Sequence, residues 1–487
     1  MDDVKSLDMD QEYRDRIATV DEDGRRNWIY PKKPKGPFYE YRKYVSYVLL
    51  LFLFGMPFVK VNGEPLLLFN VLERKFILFG VYFAPQDFHL FVFAMLIFII
   101  FIALFTVIYG RLFCGWVCPQ TIFMEMVFRR IEYWIEGDAN AQKRLHKAPW
   151  TADKVIKKLG KQMIFFAIAV LVANTFLAYI IGLDEVVRIA TEPVQQNFGG
   201  FTSMILFSAA FYFVFSYLRE QVCTTICPYG RLQGVLLDKN SIVVAYDYER
   251  GEPRGKIRKP KKSKALAVEG IPAKEDPIAA IQRQLGDCID CKLCVQVCPT
   301  GIDIRDGTQL ECVNCTACID ACDEVMVKVN RPKGLIRYDS ENGIATGKKK
   351  IFTTRVIAYS VVLGVLLLVQ GFLFTARTDV EALLLRTPGM LFQKVDEENI
   401  SNLYNYQIIN KTQETFPIEF KLQSDFGGIR LIGQPPQAKE SGVTEGALFI
   451  DMPTAELTGR KTRVKVEVYS GDKLIDVIST TFLGPVK

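Results

Sequence analysis

The chain has 487 residues, 49% of them hydrophobic, and a formal net charge of +6. Because its mean hydropathy is positive, a wholly soluble protein is excluded, and the length is sufficient for several domains. Only two histidines are present, His89 and His146. His89 lies near one end of an apolar stretch and His146 in a charged loop, so a haem held by a histidine pair between membrane helices is not expected.

Five uninterrupted apolar stretches predict membrane-spanning helices. They are residues 44–59, 88–109, 163–183, 201–218 and 356–375. The first is short for a span, and the flanking Arg42, Lys43 and Lys60 are expected to reach the interface from its ends. The stretch 66–84 is also apolar, but it carries three adjacent charges that would each be costly at bilayer depth. We interpret it as an interfacial loop.

The distribution of basic residues predicts the orientation of the helices. Arginine and lysine are abundant before the first stretch and after the second, whereas the loop between the third and fourth has only Arg188. By the positive-inside rule, the N-terminus is cytoplasmic and the C-terminus lies outside. The first apolar run begins only at residue 44, so no cleavable signal peptide is expected. All 12 cysteines lie between Cys114 and Cys322, on the expected reducing side.

Two copies of the pattern C-x3-C-P follow the second and fourth apolar stretches. They comprise Cys114, Cys118 and Pro119, and Cys223, Cys227 and Pro228. We interpret the region as two repeats of a two-span unit, whose sulfurs could meet at the repeat interface. Each proline favours the first position of a new helix. Cys118 and Cys227 would then lie at electropositive helix N-termini, where the pKa of a thiol falls.

Low-pKa thiolates at a membrane surface suit a soft metal, above all Cu(I), or thiol redox chemistry. Arg111, Arg219 and Arg231 could strengthen the positive field around them. Met124 and Met126 could add thioether ligands, although methionine on an amphipathic helix more often serves packing. The alternative is that the four cysteines are small buried residues at helix ends.

Two longer cysteine runs follow C-x2-C-x2-C-x3-C, the pattern of bacterial two-cluster ferredoxins. In such proteins the last cysteine of each run ligates the other cluster. One 4Fe-4S cluster is therefore expected on Cys288, Cys291, Cys294 and Cys322, and a second on Cys312, Cys315, Cys318 and Cys298. A zinc ribbon or a disulfide framework fits this pattern poorly. Pro299 follows the first run as expected, but Asp323 replaces the second proline, so the second loop is expected to differ in shape.

The predicted fold class is a multidomain membrane protein with a five-span α-helical bundle, a ferredoxin-like two-cluster domain and a C-terminal immunoglobulin-like β-sandwich. Short β-branched or aromatic runs at 406–409, 417–422, 447–450, 464–469 and 475–482 indicate the sandwich. The basic run 250–264 is interpreted as a solvated linker that could rest on anionic lipid, and nucleic-acid binding is not expected. The predicted domains are 1–43 (cytoplasmic tail), 44–235 (four spans), 236–350 (cytoplasmic linker and clusters), 351–376 (fifth span) and 377–487 (exterior β domain).

This order of parts resembles the CcoG/FixG/RdxA family, the cytochrome c oxidase accessory proteins. The resemblance rests on the paired C-x3-C-P copies, the sequence DYERGEPRGK at 247–256, the two ferredoxin runs, the fifth span and the cysteine-free β domain. It implies a polyferredoxin of the bacterial cytoplasmic membrane, with a periplasmic C-terminal domain, that reduces Cu(II) to Cu(I) for assembly of cbb-type oxidases. The eight ferredoxin cysteines would hold the two 4Fe-4S clusters. Cys114, Cys118, Cys223 and Cys227 would bind and reduce copper.

The partners that this resemblance implies are a cytoplasmic or membrane electron donor, a copper exporter or chaperone, and oxidase assembly factors, within a lipid bilayer. A homo-oligomer is left open. Two other functions use the same parts. A quinol-linked electron-transfer subunit would share four spans, C-x3-C-P copies and a ferredoxin domain, while a redox-sensing scaffold would recruit assembly partners through the β domain.

Overall fold

The structure is a computed structural model that describes residues 19–20, 23, 25–61, 63–72, 75–256, 285–389, 391–396, 398–412, 414–424 and 426–485. Chain contacts divide it into two compact units. The first unit comprises Met1–Gly55, Met95–Leu177 and Val187–Leu367, and the second comprises Met56–Ala94, Ala178–Val186 and Leu368–Lys487.

Within the described residues, four helices are long and apolar enough to cross a membrane. They are Phe88–Tyr109, Ala152–Ile181, Phe198–Leu218 and Thr354–Thr375. Only 6% to 28% of the residues in their most apolar windows are buried inside the protein, which leaves most of their surface to contact lipid. Helix Ala152–Ile181 begins before the predicted start at residue 163, because its first turns are lysine-rich and only the apolar remainder carries a bilayer signal.

The first predicted span forms helix Pro37–Gly55. Its N-terminal turns carry Glu40, Arg42 and Lys43, so the uncharged part covers only residues 44–55. At 1.5 Å per residue this part is about 18 Å long, against the ~30 Å of a bilayer core. That it forms a fifth span stays a prediction.

Residues 66–84 form a small antiparallel sheet, so the loop predicted there is wrong. Strands Leu67–Asn70, Lys75–Leu78 and Val81–Phe83 pair in sequence order. The sheet forms because Leu68, Ile77 and Tyr82 share one buried face, which packs against Ile409 of the C-terminal domain in the same unit. The short strands Lys60–Val61 and Glu64–Pro65 precede it.

The C-terminal residues form the predicted β-sandwich. One antiparallel sheet has the order Gly428–Ile432, Gly442–Pro453, Asn399–Asn410 and Val380–Arg386, with Gln393–Lys394 on the start of Asn399–Asn410. The other has the order Glu419–Leu422, Lys461–Ser470 and Lys473–Leu483, and Phe416–Pro417 pairs with Gln437–Ala438. Tyr404, Ile450 and Val466 are fully buried between the two sheets, so alternate strand positions build the core.

A buried ion pair ties this sandwich to the small sheet within the second unit. Lys411 Nζ contacts Asp87 Oδ1 at 2.7 Å and Glu381 Oε1 at 2.7 Å, while Arg377 lies 3.1 Å from the other oxygen of Asp87. Burial alone would raise the pKa of Asp87, but Lys411 and Arg377 lower it. Asp87 is therefore a charged anchor for the domain.

The first unit contains the cysteine-bearing segments. Its shorter helices are Leu112–Trp116, Pro119–Ile122, Arg129–Ile135, Ala139–Lys147, Leu183–Thr191 (which straddles the two units), Pro228–Leu236, Tyr248–Gly251, Leu293–Gln296, Ala317–Lys328 and Glu341–Thr346. Strands Val243–Tyr246 and Ile336–Asp339 pair antiparallel beneath the cysteine runs. π-Helical turns occupy Phe123–Phe128, Val214–Leu218 and Val222–Ile226.

The described half of the predicted basic linker is ordered against the cluster region, so a solvated linker is wrong there. Arg250 donates to the Lys333 carbonyl at 3.0 Å, and the Gly255 amide donates to the Cys288 carbonyl at 3.1 Å. Residues 257–264 of that prediction lie outside the described residues. Of the predicted N-terminal tail, the described part also packs on this region, since the Lys32 amide donates to Gln296 and the Tyr39 amide donates to Asp320.

Candidate functional site

The eight ferredoxin cysteines surround two neighbouring cavities. The lining of one cavity includes Cys288, Cys291, Cys294 and Cys322. The lining of the other includes Cys298, Cys312, Cys315 and Cys318, with Cys294 between the two. The last cysteine of each run therefore faces the cavity of the other run.

Both runs use the same backbone device to face inward. Asp290 and Lys292 in the first run, and Asn314 and Thr316 in the second, have φ between 50° and 66°. Left-handed residues on either side of Cys291 and of Cys315 turn backbone N–H groups toward one side, which makes a concave, electropositive cradle. The two cradles therefore suit a negatively charged thiolate-ligated group.

Five of the eight cluster thiols have a raised pKa. Burial raises the pKa of Cys294, Cys312 and Cys322 to about 12 and that of Cys315 to about 11. Such thiols would stay protonated without a cation, so they suit iron, whose binding displaces the protons. All 12 cysteines are free, so the alternative of a disulfide framework finds no support.

Asp323, in place of a proline, lets the second run continue into a longer helix than the first. The first run ends in the short helix Leu293–Gln296, just before Cys298 and Pro299. The second continues as helix Ala317–Lys328 past Cys322, because Asp323 keeps the N–H that proline lacks. The Asp323 carboxylate also accepts the Gly334 amide at 2.8 Å, which fixes the chain before strand Ile336–Asp339.

The C-x3-C-P copies adopt the predicted helix restarts. Cys118 is the N-cap of helix Pro119–Ile122 and Cys227 is the N-cap of helix Pro228–Leu236, each with proline at the first turn. The first cysteine of each copy contacts the other copy. Cys114 Sγ lies 2.9 Å from Gln233 Oε1, and Cys223 Sγ lies 4.0 Å from Thr121 Oγ1.

The expected set of low-pKa thiolates is wrong for two of these four cysteines. Burial raises the pKa of Cys114, with only partial opposition from Arg111, and it raises the pKa of Cys223 to about 12. The negative charge of the Cys118 thiolate also raises the pKa of Cys114 and of Cys223, so these three thiols are close enough to interact electrostatically. Among the described residues, no three histidine, cysteine or carboxylate side chains converge closely enough to hold one metal ion.

Met124 and Met126 are buried with 3% and 4% exposure. Met124 packs in a cluster with Phe123, Phe128 and Phe215. The packing alternative therefore describes Met124 better than a ligand role does.

The first C-x3-C-P copy lies directly against the second ferredoxin run. A Cβ added at Gly115 would overlap the carbonyl oxygens of Val313 and Asn314, between Cys312 and Cys315. The contact is held by Arg42, whose Nε donates to the Gly115 carbonyl at 2.6 Å. Trp116 Nε1 lies 3.2 Å from the Tyr338 hydroxyl, which donates to Asn314 at 3.2 Å.

A buried charge cluster that the sequence analysis missed joins the two copies. Arg219 donates to both oxygens of Glu132 at 2.6 and 2.7 Å, and Arg129 contacts Glu220 at 3.5 Å. Arg219 therefore joins the two C-x3-C-P copies instead of strengthening the positive field around the thiols. Burial alone would raise the pKa of Glu132, but Arg219, Lys161 and Arg129 lower it to about 2.

A sequence signal for this cluster exists. Arg129, Glu132 and Glu136 recur at spacings of three and four, which places them on one helix face, and all are less than 9% exposed. The arginines of this region were interpreted as basic loop residues that set the orientation of the helices, so their burial was not predicted. Arg219 also has a φ of 53°, an uncommon value for a side-chain-bearing residue.

Comparison with known proteins agrees with this architecture. Residues 218–341 match the family model of a 4Fe-4S dicluster domain, residues 91–138 match that of a 4Fe-4S binding domain, and residues 371–485 match that of the immunoglobulin-like fold at the C-terminus of FixG. The nitrogen fixation protein FixG of Rhizobium meliloti is 37% identical over 324 residues, 64% of this chain and 57% of FixG.

Two proteins of Cereibacter sphaeroides are matched over more of their length. Protein RdxA is 31% identical over 471 residues, 91% of this chain and 93% of RdxA. Protein RdxB is 32% identical over 423 residues, 82% of this chain and 83% of RdxB. With its 4Fe-4S domains and apolar helices, the chain belongs to the FixG/RdxA family and is a membrane protein that transfers electrons through iron-sulfur centres.

Proposed function

We propose that the protein reduces Cu(II) to Cu(I) at the paired C-x3-C-P cysteines, in support of the assembly of cbb-type cytochrome c oxidase. One observation carries the proposal. Gly115, the neighbour of Cys114, packs on the backbone between Cys312 and Cys315. The first of the two proposed copper-binding copies thus adjoins a cysteine run that suits an iron-sulfur cluster.

The proposed cluster ligands are those of the crossed pattern. Cys288, Cys291, Cys294 and Cys322 would hold one 4Fe-4S cluster, and Cys298, Cys312, Cys315 and Cys318 would hold the other. When bound, such clusters supply one-electron carriers. The cavity linings support this division. Cys291 is the exposed member of the set, so an electron donor could approach the first cluster on the side of Cys291.

The hairpin thiols are the proposed substrate site. Cys114, Cys118, Cys223 and Cys227 would bind the copper ion, which takes up one electron as Cu(II) becomes Cu(I). Thiolates are soft ligands and favour Cu(I) over Cu(II). Because the pKa values of Cys114 and Cys223 are raised, copper binding must release their protons. Gln233 would hold the Cys114 sulfur in place, since its amide also donates to Thr106 at 3.2 Å.

The proposed topology follows the positive-inside rule. The N-terminus and the cluster region would lie in the cytoplasm, five helices would span the inner membrane, and the domain from residue 377 would lie in the periplasm. A cytoplasmic or membrane donor would supply electrons. A copper exporter or chaperone and oxidase assembly factors would receive the Cu(I).

The test is a single-turnover reaction. The protein is purified anaerobically, its clusters are reduced, and Cu(II) is added while cluster absorbance and Cu(I) formation are followed together. We expect stoichiometric Cu(I) formation that is lost in Cys114→Ala/Cys223→Ala with iron content unchanged. If the clusters stay reduced with Cu(II) but reoxidise with a quinone, the copper proposal fails and the quinol-linked function replaces it.

A second candidate is favoured by the match of residues 91–138 to a 4Fe-4S binding domain. Under it, the four hairpin cysteines would hold a third cluster instead of copper. Iron analysis separates the two candidates, because three clusters require about twelve iron atoms per chain and two require about eight. In Cys114→Ala/Cys223→Ala, the third cluster would be lost and iron would fall by about a third.

A further inference from the structure

An open groove of about 660 Å³ runs between helix Pro37–Gly55 and the segment that follows Cys118. Its polar lining residues are Lys33, Tyr47, Arg130, Tyr133 and Trp134. All of them belong to the first unit. The groove is separate from the cluster cavities and contains none of the cysteines.

Contacts to helix Ala152–Ile181 place the groove at the level of a membrane surface. Glu136, two residues after Trp134, contacts Lys158 at 2.9 Å and Lys161 at 3.0 Å. Both lysines precede the long apolar part of that helix, which begins at Met163. Trp134 itself is 79% exposed. Exposed tryptophan and tyrosine concentrate at the boundary between lipid and water.

The groove combines cations with an apolar floor. Among the described residues, no carboxylate lies within 4.0 Å of the Lys33 ammonium or the Arg130 guanidinium, although the Lys33 backbone amide donates to Asp138 Oδ1 at 2.9 Å. Glu40 on the neighbouring helix is already paired with Lys43. Arg130 donates to the Tyr47 hydroxyl at 2.7 Å, which orients its guanidinium beside the groove. The floor is formed by Leu50, Met126, Val127 and Ile131. This chemistry suits an anion that carries an apolar tail.

We propose that the groove binds one anionic phospholipid, with its phosphate on Arg130 and Lys33 and its upper acyl chains along the apolar floor. Basic residues near a membrane surface attract acidic lipids, and arginine pairs well with phosphate. A quinol fits less well, because no described lining residue is a carboxylate or histidine that could accept its hydroxyl proton. The bound lipid would brace helix Pro37–Gly55 against the helix that carries Arg129 and Glu132.

The test counts bound lipid on the intact, cluster-containing protein. The purified chain is stripped in detergent and titrated with phosphatidylglycerol or phosphatidylcholine, and native mass spectrometry measures the first bound lipid. We expect phosphatidylglycerol to bind at least tenfold more tightly than phosphatidylcholine. Lys33→Gln/Arg130→Gln should weaken the binding of phosphatidylglycerol about 25-fold, since each basic residue near the membrane surface contributes about fivefold.

The matched control is Lys143→Gln/Lys147→Gln, which removes two exposed charges from helix Ala139–Lys147 outside the groove. It should leave the first binding constant unchanged. Equal affinity for both lipids, or equal weakening by the control and the groove variant, would overturn the proposal. A long-chain quinone that displaces phosphatidylglycerol at stoichiometric concentration would also overturn it. Unchanged iron content shows that each variant is folded.

Discussion

The Glu132–Arg219 pair offers the sharpest test of how the two C-x3-C-P copies are held together. Glu132→Gln keeps the size of the side chain and removes its charge. Arg219 would then be left largely buried, with Glu220 at 3.5 Å as its remaining ion-pair contact. The two cysteine copies would lose the bidentate contact that joins them.

The expected cost follows from the pKa of Glu132. A carboxyl whose pKa falls from its ordinary 4.5 to about 2 contributes about 3 kcal/mol to the free energy of unfolding at neutral pH. Breaking one side of a buried ion pair costs about 3–5 kcal/mol by a separate argument. Because the pKa is lowered, the contribution is complete above about pH 4.5 and is lost only as the pH falls toward 2.

The assay is equilibrium unfolding in mixed detergent micelles, followed by tryptophan fluorescence, at several pH values between 8 and 5. The matched control is Glu324→Gln, which breaks the exposed Glu324–Lys328 pair and should cost under about 0.5 kcal/mol. The cost of Glu132→Gln should be constant over this pH range. A cost no greater than that of the control, or one that fades between pH 8 and pH 5, would refute the reasoning.

Three further predictions concern the clusters, the contact between the cysteine systems and the C-terminal domain. Cys298→Ala and Cys312→Ala should abolish the same paramagnetic signal although they lie in different runs, and loss of different signals would contradict crossed ligation. Gly115→Ala should destabilise the protein by about 1–3 kcal/mol, because its methyl group meets the Val313 carbonyl; Gly160→Ala, which meets nothing within 4 Å, should be neutral or slightly stabilising in thermal unfolding. Asp87→Asn should make the second unit more sensitive to limited proteolysis at pH 7, since Lys411 loses a buried partner. Because the pKa of Asp87 is lowered, the difference in sensitivity between the variant and the unaltered protein should shrink only below pH 3.8, the ordinary pKa of the carboxyl.

Local patterns predicted the iron-sulfur domains, two helix starts and most of the C-terminal strands. A repeated cysteine spacing predicts which residues hold iron, because an iron-sulfur cluster imposes fixed geometry on the residues between them. In the same way, Pro119 and Pro228 predicted helix starts after Cys118 and Cys227, since proline has a fixed φ and no N–H. The β-sandwich was predicted from alternation along single strands, although Val380–Arg386 and Gly428–Ile432 escaped notice.

Features that depend on distant partners were not predictable. Residues 66–84 were read as a loop because their charges argued against a span, and the face that makes them a sheet is buried partly by Ile409, far along the chain. The raised pKa values of Cys114 and Cys223 come from burial, which the local sequence does not report.

By itself, the sequence determined the cysteine spacings that suit iron, four stretches that are apolar enough to cross a bilayer, and the strand-rich character of the C-terminal domain. Only the tertiary structure decided that Gly115 rests on the second cysteine run, and that Arg219 binds Glu132 instead of lying beside the thiols. The physical reason is that ligand spacing and hydropathy act between neighbours in sequence, whereas burial and ion pairing depend on which segments the fold brings together.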